Sequence, residues 1–205
     1  MRNTKFRQLG FPMALLLAAP FFLTSCNPLE NDTQSASMLI IESITGKDMQ
    51  GVEGNLLQSD VLYYNSTTGT YTIQADLAKA NLSAQTLDPK PAQGASQFND
   101  IQLDKYFVTY SRSDGKNTPG VDVPYPFEGG ISVRVAIGIK TEVTFIVVRE
   151  TAKQEPPLIN LTQPTTRGEV LYMTARIDFY GHDLANKTVK ATGYLSIAFA
   201  DYANE

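Results

Sequence analysis

Nearly the whole chain alternates apolar and polar residues with a period of two, and that pattern commits it to strands. Leu171, Met173, Ala175, Ile177 and Phe179 alternate with Tyr172, Thr174, Arg176, Asp178 and Tyr180. Val189, Ala191, Leu195, Ile197 and Phe199 continue the pattern towards the C-terminus. Ile131, Val133, Val135 and Ile137 alternate with Ser132, Arg134 and Ala136. Within Ile101–Arg112, Tyr106, Val108 and Tyr110 share one face and Phe107 takes the other. Tyr71, Ile73, Ala75 and Leu77 set a face for a strand over Thr70–Leu82. Thr141–Val148 is β-branched and almost continuously apolar, as a central strand would be. Met38–Ile41 and Val61–Tyr64 are shorter runs, the second closed by the turn-forming NSTTG at 65–69. Only Asp76–Ser83 has a composition that also fits a helix, and its neighbours favour a continuing strand. About seven or eight antiparallel strands without helical spacing between them predict an all-β fold, a β-sandwich built as one domain over 38–205. Gln85–Ser96 reads as a loop inside that domain, because too little chain precedes it to fold alone.

The N-terminus has a different character. Arg2, Lys5 and Arg7 form a basic start with no acid before Cys26. Phe11–Leu23 is apolar but short for a membrane span. Leu23-Thr24-Ser25-Cys26 closes the stretch and contains the chain's single cysteine. Together these residues resemble the signal peptide and lipobox of a bacterial lipoprotein. The resemblance implies that residues 1–25 are removed and that Cys26 is lipidated, becoming the first residue of the mature chain. More than one acyl chain makes such an anchor stable rather than marginal. It implies a cell-envelope location. Asn27, where some bacteria place an inner-membrane retention aspartate, leans towards the outer membrane. Residues 26–37 are polar after the cysteine, with little to bury, and read as a flexible tether.

Charge and thiol content then exclude several functions. The leader holds three of the 17 basic residues and none of the 21 acids, so the remainder carries a net charge near −7. Phosphate neutralisation needs clustered Lys and Arg, so no nucleic-acid partner is expected, and the membrane link is covalent rather than electrostatic. With Cys26 acylated no thiol is left for a disulfide, a thiolate metal site or a nucleophile.

Phe179–Lys187 joins the last two alternating runs. Gly181 and Asn186 suit positive φ there, and Asp183 can bond nearby backbone. This stretch resembles the closing hairpin of immunoglobulin-like and fibronectin type III-like bacterial modules. With Tyr110–Phe127 it is also similar to a group of uncharacterised exported bacterial proteins, over roughly Ile101–Tyr202. The resemblance implies an immunoglobulin-like arrangement of the sandwich and transfers no catalytic residue.

No residue set calls for catalysis. His182 is the single histidine and reads as a solvated turn residue. Asp183 follows it directly, so on an extended strand its carboxylate points to the other face. There is no nucleophile elbow, and Gly129-Gly130 matches no nucleotide motif. Asp100, Asp104, Asp114, Asp122 and Glu128 are the carboxylates a glycosidase pair would draw on, but acids are plentiful enough to meet by chance. No cofactor is expected and no metal site, with Asp114, Asn117 and Asp122 a weak calcium candidate in a loop where they serve equally as turn formers.

That loop, Ser111–Gly130, is the best candidate for binding. It is far longer than a hairpin needs, stiffened by Pro119, Pro124 and Pro126, and weighted by Tyr125 and Phe127. Arg112 and Asp114 can pair at its base. Tyr125 and Phe127 either cap the core or form a recognition surface, and the outward Tyr172, Tyr180 and Tyr194 offer a second aromatic patch. The expectation is a non-catalytic interaction or scaffolding module with an envelope protein as partner. The alternative is a small-ligand or glycan binder working through the 111–130 loop, and a hydrolase is the remote third.

Overall fold

In the computed structural model, residues 35–202 are described, apart from 89, 91–93 and 167. The leader at 1–25 and Cys26 lie outside the described residues. The alternating segments form β1 (Ser37–Lys47), β2 (Glu53–Gly54), β3 (Leu56–Asp60), β4 (Tyr63–Asn65), β5 (Thr70–Thr72), β6 (Asp76–Thr86), β7 (Ile101–Ser111), β8 (Phe127–Val135), β9 (Thr141–Val148), β10 (Leu171–Asp183) and β11 (Thr188–Ala200). One short helix, α1 (Glu150–Lys153), follows β9. The fold is all-β.

Two larger sheets share one core. The first has the order β2-β1-β6-β9 and the second β3-β11-β10-β7-β8, while β4 and β5 form a separate hairpin. Every pairing is antiparallel except β3 with β11. Phe145 of β9 meets Tyr106 of β7 and Phe179 of β10 edge-on, at 5.1 and 5.3 Å between ring centroids, and so joins the apolar faces of both sheets. The Tyr110 hydroxyl of β7 donates across to the Val147 carbonyl of β9 at 2.6 Å.

The register sorts the connections into two ends. At one lie Ser35–Ser37 and the segments 87–100, 136–140 and 184–187; at the other lie 48–52, 61–75, 112–126 and 149–170. At ~3.3 Å per residue the β1 strand alone separates them by about 35 Å.

Several expectations are corrected in detail. Thr70–Leu82 is not one strand: the chain breaks after Thr72, the phase resets, and Ala78, Ala80, Leu82 and Ala84 of β6 face the core while Leu77 is exposed. The Val61–Tyr64 run straddles a bend, with β3 before it and β4 after it. The β8 strand starts at Phe127 rather than Ile131, so the loop before it is 112–126. Gly129 has no side chain to show in the alternation because the Tyr106 ring fills that space; a Cβ there would meet its Cζ at 2.2 Å. Gly181 lies inside β10, not at positive φ, and its lack of a Cβ admits the Gln102 carbonyl of β7, which a Cβ would meet at 2.1 Å. Asn186 does take positive φ, at 65°. The chain enters the fold earlier than a tether to Ser37 requires. Ser35 is buried, and its hydroxyl donates to Asp183 at 2.7 Å.

Candidate functional site

The 112–126 loop is held by its own polar side chains. Arg112 grips Asp114 through Nε–Oδ1 at 3.1 Å and through Nη2–Oδ2. The Arg112 guanidinium beside it holds the Asp114 carboxyl below the usual range. The Lys116 amide also donates to Asp114, the Arg112 amide donates to Asn117 Oδ1 at 2.6 Å, and the Thr118 amide donates to Asp122 Oδ2 at 3.1 Å. The candidate calcium oxygens of Asp114, Asn117 and Asp122 are therefore engaged in turns, and among the described residues no group of three His, Cys, Asp or Glu is arranged to hold a metal ion.

The loop's aromatic residues divide between the two expected roles. Phe127 is buried at the start of β8, edge-on to Tyr106 and under the Arg149 guanidinium, which lies 4.7 Å from its ring centre. Val123 is buried with it. Tyr125 stays 52% exposed and its ring rests on Gly120, whose positive φ of 77° and bare Cα make the seat. Val121 is exposed beside it in the same loop. So Phe127 caps the core, and Tyr125 presents a surface.

A second feature at the same end of the fold escaped sequence reasoning. A cavity of about 390 Å³ opens between the end of β1, β3 and the start of β6, lined in part by Thr45, Leu57, Asp60, Tyr63, Asp76 and Lys153. Lys153 of α1 is 1% exposed. Its ammonium donates to the Asp60 carbonyl at 2.7 Å and to Asp76 Oδ1 at 2.9 Å. Ser59 donates to the other Asp76 oxygen at 2.6 Å. Burial pushes the Asp76 carboxyl up, outweighing the opposing pull of Lys153 and Ser59. Burial likewise raises Asp60, against the amides of Tyr202 and Leu62. Asp60 Oδ2 is buried with no hydrogen-bond partner. Nothing in the local sequence Thr151-Ala152-Lys153 distinguishes this lysine from a solvated one. The signal lies in chain folding, which brings Asp60, Asp76 and Lys153 together from three separate elements.

The remaining candidates are dispersed. His182 sits on β10 rather than in the turn, and its Nδ1 is 2.9 Å from Asp104 Oδ2. Asp104 is the extra residue of a bulge in β7, opposite Tyr180–Gly181, which aims it at the histidine. Asp183 faces the other way, as expected, and its Oδ1 accepts the Ala185 and Lys187 amides. Asp100 is bound by Arg134 and the Ile137 amide, and Glu128 by Lys105. Asp100 and Asp104 lie towards the Ser35 end, and Asp114 and Asp122 at the other, so these acids do not flank one cleft. Tyr172 and Tyr194 are exposed on the outer face of β10 and β11, while Tyr180 lies eight residues along from Tyr172 under the Lys190 ammonium, 5.0 Å from its ring centre. They are spread along the strand pair and make no single patch.

No family model matches the chain, and no curated protein matches it. Among solved structures, that of Spo0M, a sporulation control protein from Bacillus subtilis, is similar at 10% identity over 80% of this chain and 49% of that one, with a TM-score of 0.28. The chain spans about half the length of that structure.

Proposed function

We propose that this protein is a bacterial lipoprotein of the cell envelope, anchored through acylated Cys26 and acting by binding rather than by catalysis. Its domain is an immunoglobulin-like β-sandwich. Eight strands of five residues or more in two sheets around a shared core support that reading of the fold. The observation that carries the functional reading is polarity along the strands. Ser35, nine residues after Cys26, is already held in the fold, while the 112–126 loop and the cavity beside Lys153 lie at the opposite end. An anchor at Cys26 then leaves that end free for an envelope partner, at the outer membrane as Asn27 suggests.

Two experiments test this. Mass analysis of the N-terminal peptide should find a diacylglyceryl Cys26, and Cys26→Ala should move the protein out of the membrane fraction; an unmodified, uncleaved N-terminus overturns the anchor. A photo-crosslinking residue at Tyr125 should capture one defined envelope protein in living cells, whereas the same residue at Tyr194 should not. Equal capture at both positions overturns the loop as the recognition surface.

Exposed Tyr125 on its Gly120 seat also favours a second reading, a small-ligand or glycan binder. A glycan that raises the Tm of the protein but not of Tyr125→Ala would establish it. No shift across a glycan panel would remove it.

A further inference from the structure

The end of the domain that holds Ser35 exposes several large apolar side chains. Leu87, Phe98 and Ile139 are 55, 59 and 60% exposed, and Met38 is exposed beside them at the start of β1. They come from two connections, 87–100 and 136–140, and from the start of β1, and backbone bonds hold these segments together. The Leu87 amide donates to Ala36, the Gly138 amide to Ala84, and the Leu184 amide to Asp100, two residues after Phe98. Phe98 is fixed on a 3₁₀ turn capped by Ser96 and Asn99 through a reciprocal pair of bonds. These side chains are thus held out by a braced surface.

The charge at this end differs from that of the chain. Segments 84–100, 134–140 and 183–188 hold three acids, Asp88, Asp100 and Asp183, against four bases, Lys90, Arg134, Lys140 and Lys187. Asp100 is taken up by Arg134, and Asp183 by Ser35 and two amides. Lys140 is paired with Glu42 of β1, so the described residues of this face are close to neutral, and an anionic head-group layer would not repel them.

Covalent reach selects the occupant. Nine peptide steps from Cys26 to Ser35 span at most about 32 Å, so an acylated Cys26 keeps this end within a few nanometres of the bilayer. We propose that the face formed by Leu87, Phe98 and Ile139 docks on the lipid surface, with these side chains entering the head-group boundary, so that the domain stands on the membrane with the 112–126 loop pointing away. This rests on the lipoprotein reading above.

The test uses the full-length, processed protein, whose acylated Cys26 leaves no free thiol. Phe98→Cys, Ile139→Cys and, at the far end, Val52→Cys carry an environment-sensitive fluorophore. Each is reconstituted in phosphatidylethanolamine–phosphatidylglycerol vesicles with nitroxide-labelled acyl chains. Docking predicts a blue-shifted emission at 98 and 139, and quenching about threefold stronger there than at 52, as expected of side chains in the interface. Equal quenching at all three positions, with Cys26 shown by mass to be acylated, overturns docking and leaves the anchor intact. A Cys26 without acyl groups overturns both. Crosslinking between copies through position 98, without lipid quenching, also overturns docking by assigning the face to a second copy.

Discussion

Lys153 shows how much a single buried charge can decide. Its ammonium and the Asp76 carboxylate are both withdrawn from water and satisfy each other. Removing one partner leaves the other charged in an apolar setting, which costs about 3–5 kcal/mol, whereas replacing both is far milder. Lys153→Met should therefore lower the urea midpoint sharply, and adding Asp76→Asn should restore more than half of the loss. A double variant no better than the single would mean that the lysine acts through packing alone. Gly181 gives a second case. A Cβ there meets the Gln102 carbonyl, which is backbone and cannot rotate away, so Gly181→Ala should destabilise by about 1–3 kcal/mol in the same assay. Neither constraint is visible in sequence. The lysine has no neighbour that marks it as buried, and the glycine passes for a turn former because a strand crossing leaves no local signature. Asn186 and Asp183 were legible because the chemistry that fixes them is local to their own turn.

At the scale of elements, strands whose alternation keeps one phase were legible, and those that follow a bend, as β6 does, or carry glycines near their start, as β8 does, were not. The β10 and β11 strands carry their phase through, and the residues assigned to the core face are buried or nearly so. The β6 strand lost its phase because Ile73–Ala75, between it and β5, belongs to neither strand, so counting across that gap inverted the face. The outer surface of the β10–β11 pair is tied by Asp178, which the Thr192 hydroxyl, Arg176 and Lys190 approach. Burial works to raise its carboxyl, and those three groups outweigh it, so the carboxyl sits below the usual range. A lowered folded-state pKa means that the unfolded chain binds the extra proton in acid. The stabilisation is present above the ordinary value of 3.8 and is lost as pH falls through the folded-state value. Asp178→Asn should accordingly lower the Tm at neutral pH, yet flatten its fall below pH ~4 relative to the parent chain. Between the sheets, Tyr110→Phe removes the donor to the Val147 carbonyl and should cost about 1–2 kcal/mol, with β9 amides losing hydrogen-exchange protection before those of β10.

For the whole molecule, the alternation was enough to place the chain among all-β folds, because strands of this number can bury their apolar faces only against another sheet. It was not enough to say which loops share an end, since that depends on register, and register is set by pairing between strands distant in sequence. Once register is known, the molecule has two ends joined by strands about 35 Å long. Ser35 and Asp183 close one end; Lys153, Asp76 and Asp60 brace the other. Among the described residues these two groups share no hydrogen-bond partner, so the ends should respond to substitution independently. Ser35→Ala removes one donor to Asp183, whose other oxygen keeps the Ala185 and Lys187 amides, and should cost about 1–2 kcal/mol. Combined with Lys153→Met, the two losses should add to within about 0.5 kcal/mol in urea unfolding, as they do for sites that share no partner. A coupling well above that value would mean that strain beside Ser35 is transmitted along β1 to the cavity, and that one end of the domain influences the other through the sheet itself.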